Sequence, residues 1–274
     1  MIESRDAEDV TGHQLLGGEI IGQSYKAIER LSDRAIERRA KSDRAIERRA
    51  IERQAITMMK THVKICCMGS VDEANTAIEL GASAIGLVSR MPSGPGPIAE
   101  DLIAEIVAAV GNRVETFLLT CETSADAIIA QQRHTGASTL QLVDSVEAGA
   151  HEAIRNSLDG TRIVQVIHVV GEGSVDEAVE AARTADALLL DSGNPRLAVK
   201  ELGGTGRRHD WKISRRIVEA VALPVYLAGG LNRENVREAI EAVGPYGVDV
   251  CSGVRTNGRL DREKVADFIN AIER

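Results

Sequence analysis

Three apolar runs in the C-terminal third of the chain each finish in glycines. Ala185 to Leu190 ends on the carboxylate of Asp191, with Gly203-Gly204-Thr205-Gly206 shortly after. Val225-Tyr226-Leu227-Ala228 runs into Gly229-Gly230, and Val248-Asp249-Val250-Cys251 into Ser252-Gly253. Short apolar runs bounded by turn signals read as buried strands. Strands buried on both faces belong to parallel sheets, which need helical crossovers between successive strands. Three in a row, each ending in glycines, predict loops converging at one end of a parallel barrel, around an anion. Asp191 then sits where its strand emerges.

The preceding residues alternate in the same way. His62–Cys67, Ser83–Ser89, Val114–Leu119, Thr139–Val143 and Ile163–Val169 read as strands. Helices are expected between them, two opened by the capping boxes Ser70-Val-Asp-Glu73 and Ser174-Val-Asp-Glu177. Others are predicted from Ala99, over Ser124–Arg133 and Val146–Asn156, and from near Asp210, Asn232 and Asp261. Eight strand–helix units predict an α/β fold, a (β/α)8 TIM barrel over residues 61–274. A doubly wound open sheet is the alternative, but its glycine fingerprint follows the first strand, and here the glycines cluster late.

Residues 1–60 read as a separate, repetitive charged extension. Ser32 to Ala40 recurs unchanged as Ser42 to Ala50, and Lys26 to Arg53 carries ten basic and six acidic residues. The composition favours helix. A ten-residue repeat, however, rotates any apolar stripe by roughly 80° each time, so no continuous docking face survives. A partly helical or disordered, solvated tail is expected, with a basic interaction arm as the alternative. The barrel is expected to start near Met58-Met59, with the leader a product of start-site choice.

Composition narrows the partners. The net charge is −8 and aromatics make up 2% of the chain, which argues against nucleic acid. No apolar run is long enough for a membrane span. The polar N-terminus does not read as a signal peptide. The four cysteines, Cys66, Cys67, Cys121 and Cys251, have no zinc-like spacing, and free thiols in a cytoplasmic protein are expected. No metal or other cofactor is implied. The glycine loops can bring backbone N–H groups close to phosphate oxygens. Gly204, Thr205, Gly206, Gly229, Gly230, Ser252 and Gly253 are the candidate phosphate ligands, with hydroxyls from Thr205 and Ser252.

These residues carry a resemblance. Lys64-Ile65-Cys66, Gly81 to Val88, Leu189-Leu190-Asp191, Gly203 to Gly206 with Asp210-Trp211, Leu227 to Val236 and Pro245 to Val254 are similar to motifs of phosphoribosylanthranilate isomerase, from Val63 to Phe268. The resemblance implies a barrel of the ribulose-phosphate-binding type and an Amadori rearrangement in tryptophan biosynthesis, without a cofactor. It implies that Cys66 is the general base and Asp191 the general acid, and that Asp249 contacts substrate. Taken alone, Cys66 could be a small core residue and Asp191 a helix cap. The implied partner is a phosphoribosyl substrate, in a monomer or homodimer.

The match departs from the family at the aromatic end of the substrate. The loop Ser89 to Pro97 lacks the family's Ser-Pro-Arg, and Pro95 takes the arginine's place in an ungapped alignment. Arg90 is the candidate replacement for binding the anthranilate carboxylate. Cys67 replaces a glycine, Cys251 a serine and Arg255 the usual glutamate, and Gln141-Leu-Val-Asp144 replaces Gln-Leu-His-Gly. Two further readings stay open: a barrel acting on a related phosphoribosyl amine, and a non-catalytic sugar-phosphate-binding module. His168 is expected in the core or at the rim, and Cys121 and Cys251 as unreactive small residues.

Overall fold

The structure, a computed structural model, describes residues 61–273; the expectations for residues 1–60 lie outside the described residues. Eight strands run in chain order: β1 His62–Ile65, β2 Ala84–Val88, β3 Glu115–Thr120, β4 Thr139–Leu142, β5 Arg162–His168, β6 Ala187–Asp191, β7 Val225–Leu227 and β8 Gly247–Val250. Each pairs in parallel with the next, and β8 closes on β1 with His62 opposite Gly247 and Lys64 opposite Asp249. The helices are α1 Val71–Glu79, α2 Glu100–Val110, α3 Ala125–Thr135, α4 Ala150–Ser157, α5 Ser174–Ala181, α6 Trp211–Ala220, α7 Val236–Val243 and α8 Arg262–Glu273. This is the (β/α)8 barrel that the alternation predicts.

Alternate residues along each strand face opposite sides. Val63, Ile65, Ile85, Leu118 and Leu188 pack outward against the helices. Cys66, Phe117, Val164, Leu189 and Tyr226 fill the barrel. Burying a branched aliphatic or aromatic side chain stabilises by roughly 1.5–3 kcal/mol, so the sheet–helix interface holds the short helices. Phe117 and Tyr226 meet edge to face at 5.7 Å and plug the interior beneath the site. Burial pushes the Tyr226 phenol up to about 12.

Side-chain oxygens start several helices where the sequence places them. Ser70 Oγ accepts from Glu73 N–H at 3.1 Å, Ser124 Oγ from Ala127 N–H, and Asp210 Oδ1 from Lys212 N–H. Three starts differ. Gly173, not Ser174, precedes α5; the Ser174 hydroxyl instead accepts from Val170 N–H and donates to His168 C=O, bracing the exit of β5. α4 begins at Ala150 rather than Val146, because Glu147 N–H is tied to Thr123 C=O and Gly149 is left-handed at φ +81°. Asn232 makes a turn, accepting from Glu234 and Asn235 N–H, and α7 starts at Val236. A hairpin unforeseen from the sequence, β9 Arg255–Thr256 and β10 Arg259–Leu260, precedes α8. Its turn residues Asn257 and Gly258 both have positive φ, the signature of an Asn-Gly hairpin turn.

Candidate active site

A cavity opens at the C-terminal end of the barrel. Cys66 follows β1 and faces it, Asp191 ends β6, and Asp249 rises from β8. β2 makes room for the thiol: a Cβ at Gly86 would lie 2.6 Å from Cys66 Sγ and 3.0 Å from Lys64 Nζ. Cys66 and Lys64 therefore converge over the same glycine.

Lys64 is fully buried, and its Nζ donates to Asp249 Oδ1 at 2.9 Å. Burial alone would push Lys64 down. The Asp249 carboxylate and the nearby Cys66 thiol reverse this and hold it above the ordinary lysine value. Burial holds the Asp249 carboxyl above its ordinary value although Lys64 pulls it down. We read the pair as ionised, because each charge has a well-placed partner. The sequence reading missed Lys64 as a site residue, although a lysine inside an apolar strand demands a buried partner.

Asp191 is buried, and its two oxygens differ. Oδ1 accepts from Ser192 N–H at 2.7 Å. Oδ2 has no hydrogen-bond partner among the described residues and lies against Gly203, where a Cβ would come within 2.4 Å of it. Gly203 also has φ +125°, so any side chain there would both strain the backbone and cover the carboxyl.

The three late loops dock on one another through their glycines. A Cβ at Gly230 would lie 2.8 Å from Gly206 C=O, and one at Gly253 would lie 2.1 Å from Leu231 C=O. Gly206 faces Ser252, whose Oγ would lie 3.8 Å from an added Cβ. Thr205 Oγ1 and Ser192 Oγ share a hydrogen bond of 2.7 Å. Among the described residues, no group accepts from the N–H groups of Gly206, Gly229 or Gly230. Unpaired backbone donors facing a cavity suit an oxyanion.

His209 lies behind this rim. Its Nε2 bonds Ser214 Oγ at 2.7 Å, while its Nδ1 is buried without a partner, beside Gly229. Burial pushes its imidazole down, against the pull of Asp191 and Asp210. The sequence reading did not single it out; a histidine just before the Asp210 cap was the available signal. His168 ends β5 in register with Asp191 and is buried, with Nε2 2.9 Å from Val143 C=O.

The remaining candidates separate. Arg90 does not line the main cavity. It borders an adjoining hollow with Cys121, Asp144 and Lys200, separated from the cavity by Met91 and Leu202, which line both. Lys200 is ion-paired there with Asp144. Cys251 lines the main cavity together with Cys67. The Cys67 thiol donates to Pro95 C=O at 3.8 Å; the nearness of the two thiols holds that of Cys251 down and, with burial, pushes that of Cys67 up. Among the described residues, no three His, Cys, Asp or Glu side chains are grouped to hold a metal ion, and no helix is long and apolar enough to cross a membrane.

The family model described as N-(5'phosphoribosyl)anthranilate (PRA) isomerase matches residues 63–271. The chain belongs to the N-(5'-phosphoribosyl)anthranilate isomerase family. The N-(5'-phosphoribosyl)anthranilate isomerase 2 of Methanosarcina mazei is 36% identical over 210 residues, 76% of this chain and 92% of that protein. The isomerase of Haloferax volcanii is 37% identical over 217 residues, 78% of this chain and 93% of that protein. The crystal structure of phosphoribosyl anthranilate isomerase from Thermotoga maritima matches with a TM-score of 0.66 at 26% identity, over 78% of this chain and 98% of that one. Cys67, Pro95 and Cys251 line the cavity, and Arg255 bonds the Cys67 carbonyl behind it.

Proposed function

We propose that the chain isomerises N-(5'-phosphoribosyl)anthranilate to 1-(2-carboxyphenylamino)-1-deoxyribulose 5-phosphate, an Amadori rearrangement in tryptophan biosynthesis. The observation that carries this reading is the pairing of a thiol and a carboxyl, Cys66 and Asp191, in one cavity rimmed by three glycine loops. A site that only binds phosphate needs neither group.

The phosphate sits in the loop rim, on the free N–H groups of Gly206, Gly229 and Gly230 and on Ser252, with Gly204, Thr205 and Gly253 shaping the seat. Asp191, through its unpaired Oδ2, gives a proton to the ring oxygen as the bond from that oxygen to C1 breaks. An open-chain imine cation results. Cys66, as thiolate, takes the proton from C2. The electron pair of that C–H bond moves into C1–C2 and gives the enolamine, which tautomerises to the aminoketose. Lys64 places a fixed positive charge beside the thiol, and Asp249 holds Lys64 in place. The free thiols among the described residues suit a reducing cytoplasm.

The test follows the fluorescence of freshly generated phosphoribosylanthranilate with the full chain. A positioned acid or base contributes about 10²–10⁴-fold. Asp191→Asn is expected to lose turnover by that factor while inorganic phosphate still binds. Parent turnover no faster than that of Asp191→Asn would sink the reading in favour of a binding module.

A further inference from the structure

Two departures from the family pattern meet behind the site. Cys67 stands where the family has glycine, and it keeps a glycine-like backbone, with φ +66°. A Cβ disfavours that conformation. The strand-two loop makes room for the side chain, since a Cβ at Gly96 would lie 2.6 Å from Cys67 Cβ. Room alone does not hold the backbone in the left-handed region.

Arg255 supplies a hold. It stands where the family has glutamate, and its side chain is 10% exposed. Its Nη2 donates to Cys67 C=O, and to Cys66 C=O at 3.4 Å. The same nitrogen meets Glu73 Oε2 at 3.0 Å, and Nη1 donates to Gly258 C=O at 2.9 Å. Glu73 is itself fixed, accepting from Leu260 N–H at 2.8 Å and from Gly69 N–H at 2.9 Å. The guanidinium is thus clamped from behind by a carboxylate and a hairpin. Its front grips the two carbonyls that flank the left-handed turn.

We propose that Arg255 is a positioning residue for Cys66: it holds the Cys66–Cys67 turn in the conformation that keeps the thiol on the cavity. Without it, Cys67 relaxes toward a right-handed or extended backbone. The peptide between the two cysteines then rotates, and Cys66 Sγ leaves its seat over Gly86. A glycine at 67 carries no such penalty and makes the clamp dispensable. The proposal rests on the reading of Cys66 as the base.

The experiment is a double-mutant cycle in the full chain: Arg255→Met, Cys67→Gly and both. The readouts are kcat and KM on phosphoribosylanthranilate, the pH profile of kcat, and the iodoacetamide alkylation rate of Cys66, located by mass spectrometry. A misplacement near 1 Å costs on the order of 10²-fold. Arg255→Met is expected to lower kcat by about 10- to 100-fold with KM little changed, and to shift the alkylation rate of Cys66. In the Cys67→Gly background the same substitution is expected to cost far less. Equal losses in both backgrounds, within about twofold, overturn the proposal, as does a loss confined to KM. Should Arg255→Met fail to fold, Arg255→Lys replaces it in the same cycle, keeping the charge toward Glu73 without spanning both carbonyls. Absence of parent turnover rejects the isomerase reading; the Cys66 alkylation cycle still reports whether Arg255 positions the thiol, and no coupling there rejects the positioning.

Discussion

Lys64 and Asp249 are 185 residues apart in sequence and 2.9 Å apart in the barrel. Removing one partner of a buried ion pair leaves the other charge without compensation, which costs roughly 3–5 kcal/mol. Replacing both by apolar groups is often close to neutral. Lys64→Met is therefore expected to destabilise the chain by about that amount, and Lys64→Met with Asp249→Leu by distinctly less, measured by urea unfolding. Equal losses would show that Lys64 contributes packing rather than charge. The same pair shows where sequence reasoning stops at this scale. Asp191 was legible as a carboxylate at a strand end, whereas Cys66 and Asp249 stood out only through the resemblance to the family. Their partners were not legible, because Lys64 meets Asp249 only when β8 closes on β1. The unequal oxygens of Asp191 were equally hidden, since Gly203 comes against one of them only in the folded loop.

At the level of elements, the phosphate rim works as one unit because its loops touch backbone to backbone. Gly253 shows this, with Leu231 C=O 2.1 Å and Asn232 Cα 3.2 Å from where a Cβ would be. Gly253→Ala must push the loop after β7 away from the loop after β8. Overpacking of this kind costs about 1–3 kcal/mol, and each 1.4 kcal/mol is about tenfold in affinity. KM is expected to rise by about 5- to 100-fold with a smaller effect on kcat, and the affinity for inorganic phosphate to fall in parallel by titration calorimetry. An unchanged KM would place the phosphate elsewhere. The glycine clusters were legible as turns at strand ends, whereas their mutual contacts depend on strand order and tilt. Helix starts divide in the same way. Ser70, Ser124, Asp210 and Asp261 cap as local chemistry dictates. Ser174 has the same motif as Ser70, yet its hydroxyl is taken by the backbone at the end of β5.

For the molecule as a whole, the described residues lie in one compact unit, and the closing pair of strands starts at His62. A chain of residues 59–274 is expected to match the full chain in kcat and to melt within about 2–4 °C of it, read by calorimetry. A larger loss would assign a structural role to the leader. Acid stability depends on Glu73, which joins the start of α1, the β9–β10 hairpin and Arg255. Burial pushes its carboxyl up, but the Arg255 guanidinium and the N–H groups of Leu260 and Gly69 outweigh this and hold it below its ordinary value of 4.5. The unfolded chain therefore takes up this proton at a higher pH than the folded chain does. The stability it contributes is fully present above about 4.5 and is lost as the pH falls through the lower folded value. Glu73→Gln is expected to melt below the parent at neutral pH. The gap should narrow as the pH drops below 4.5, because the parent carboxyl becomes neutral as well. A gap that stays constant down to about pH 3 would mean that Glu73 acts through its hydrogen-bond geometry and not through its charge.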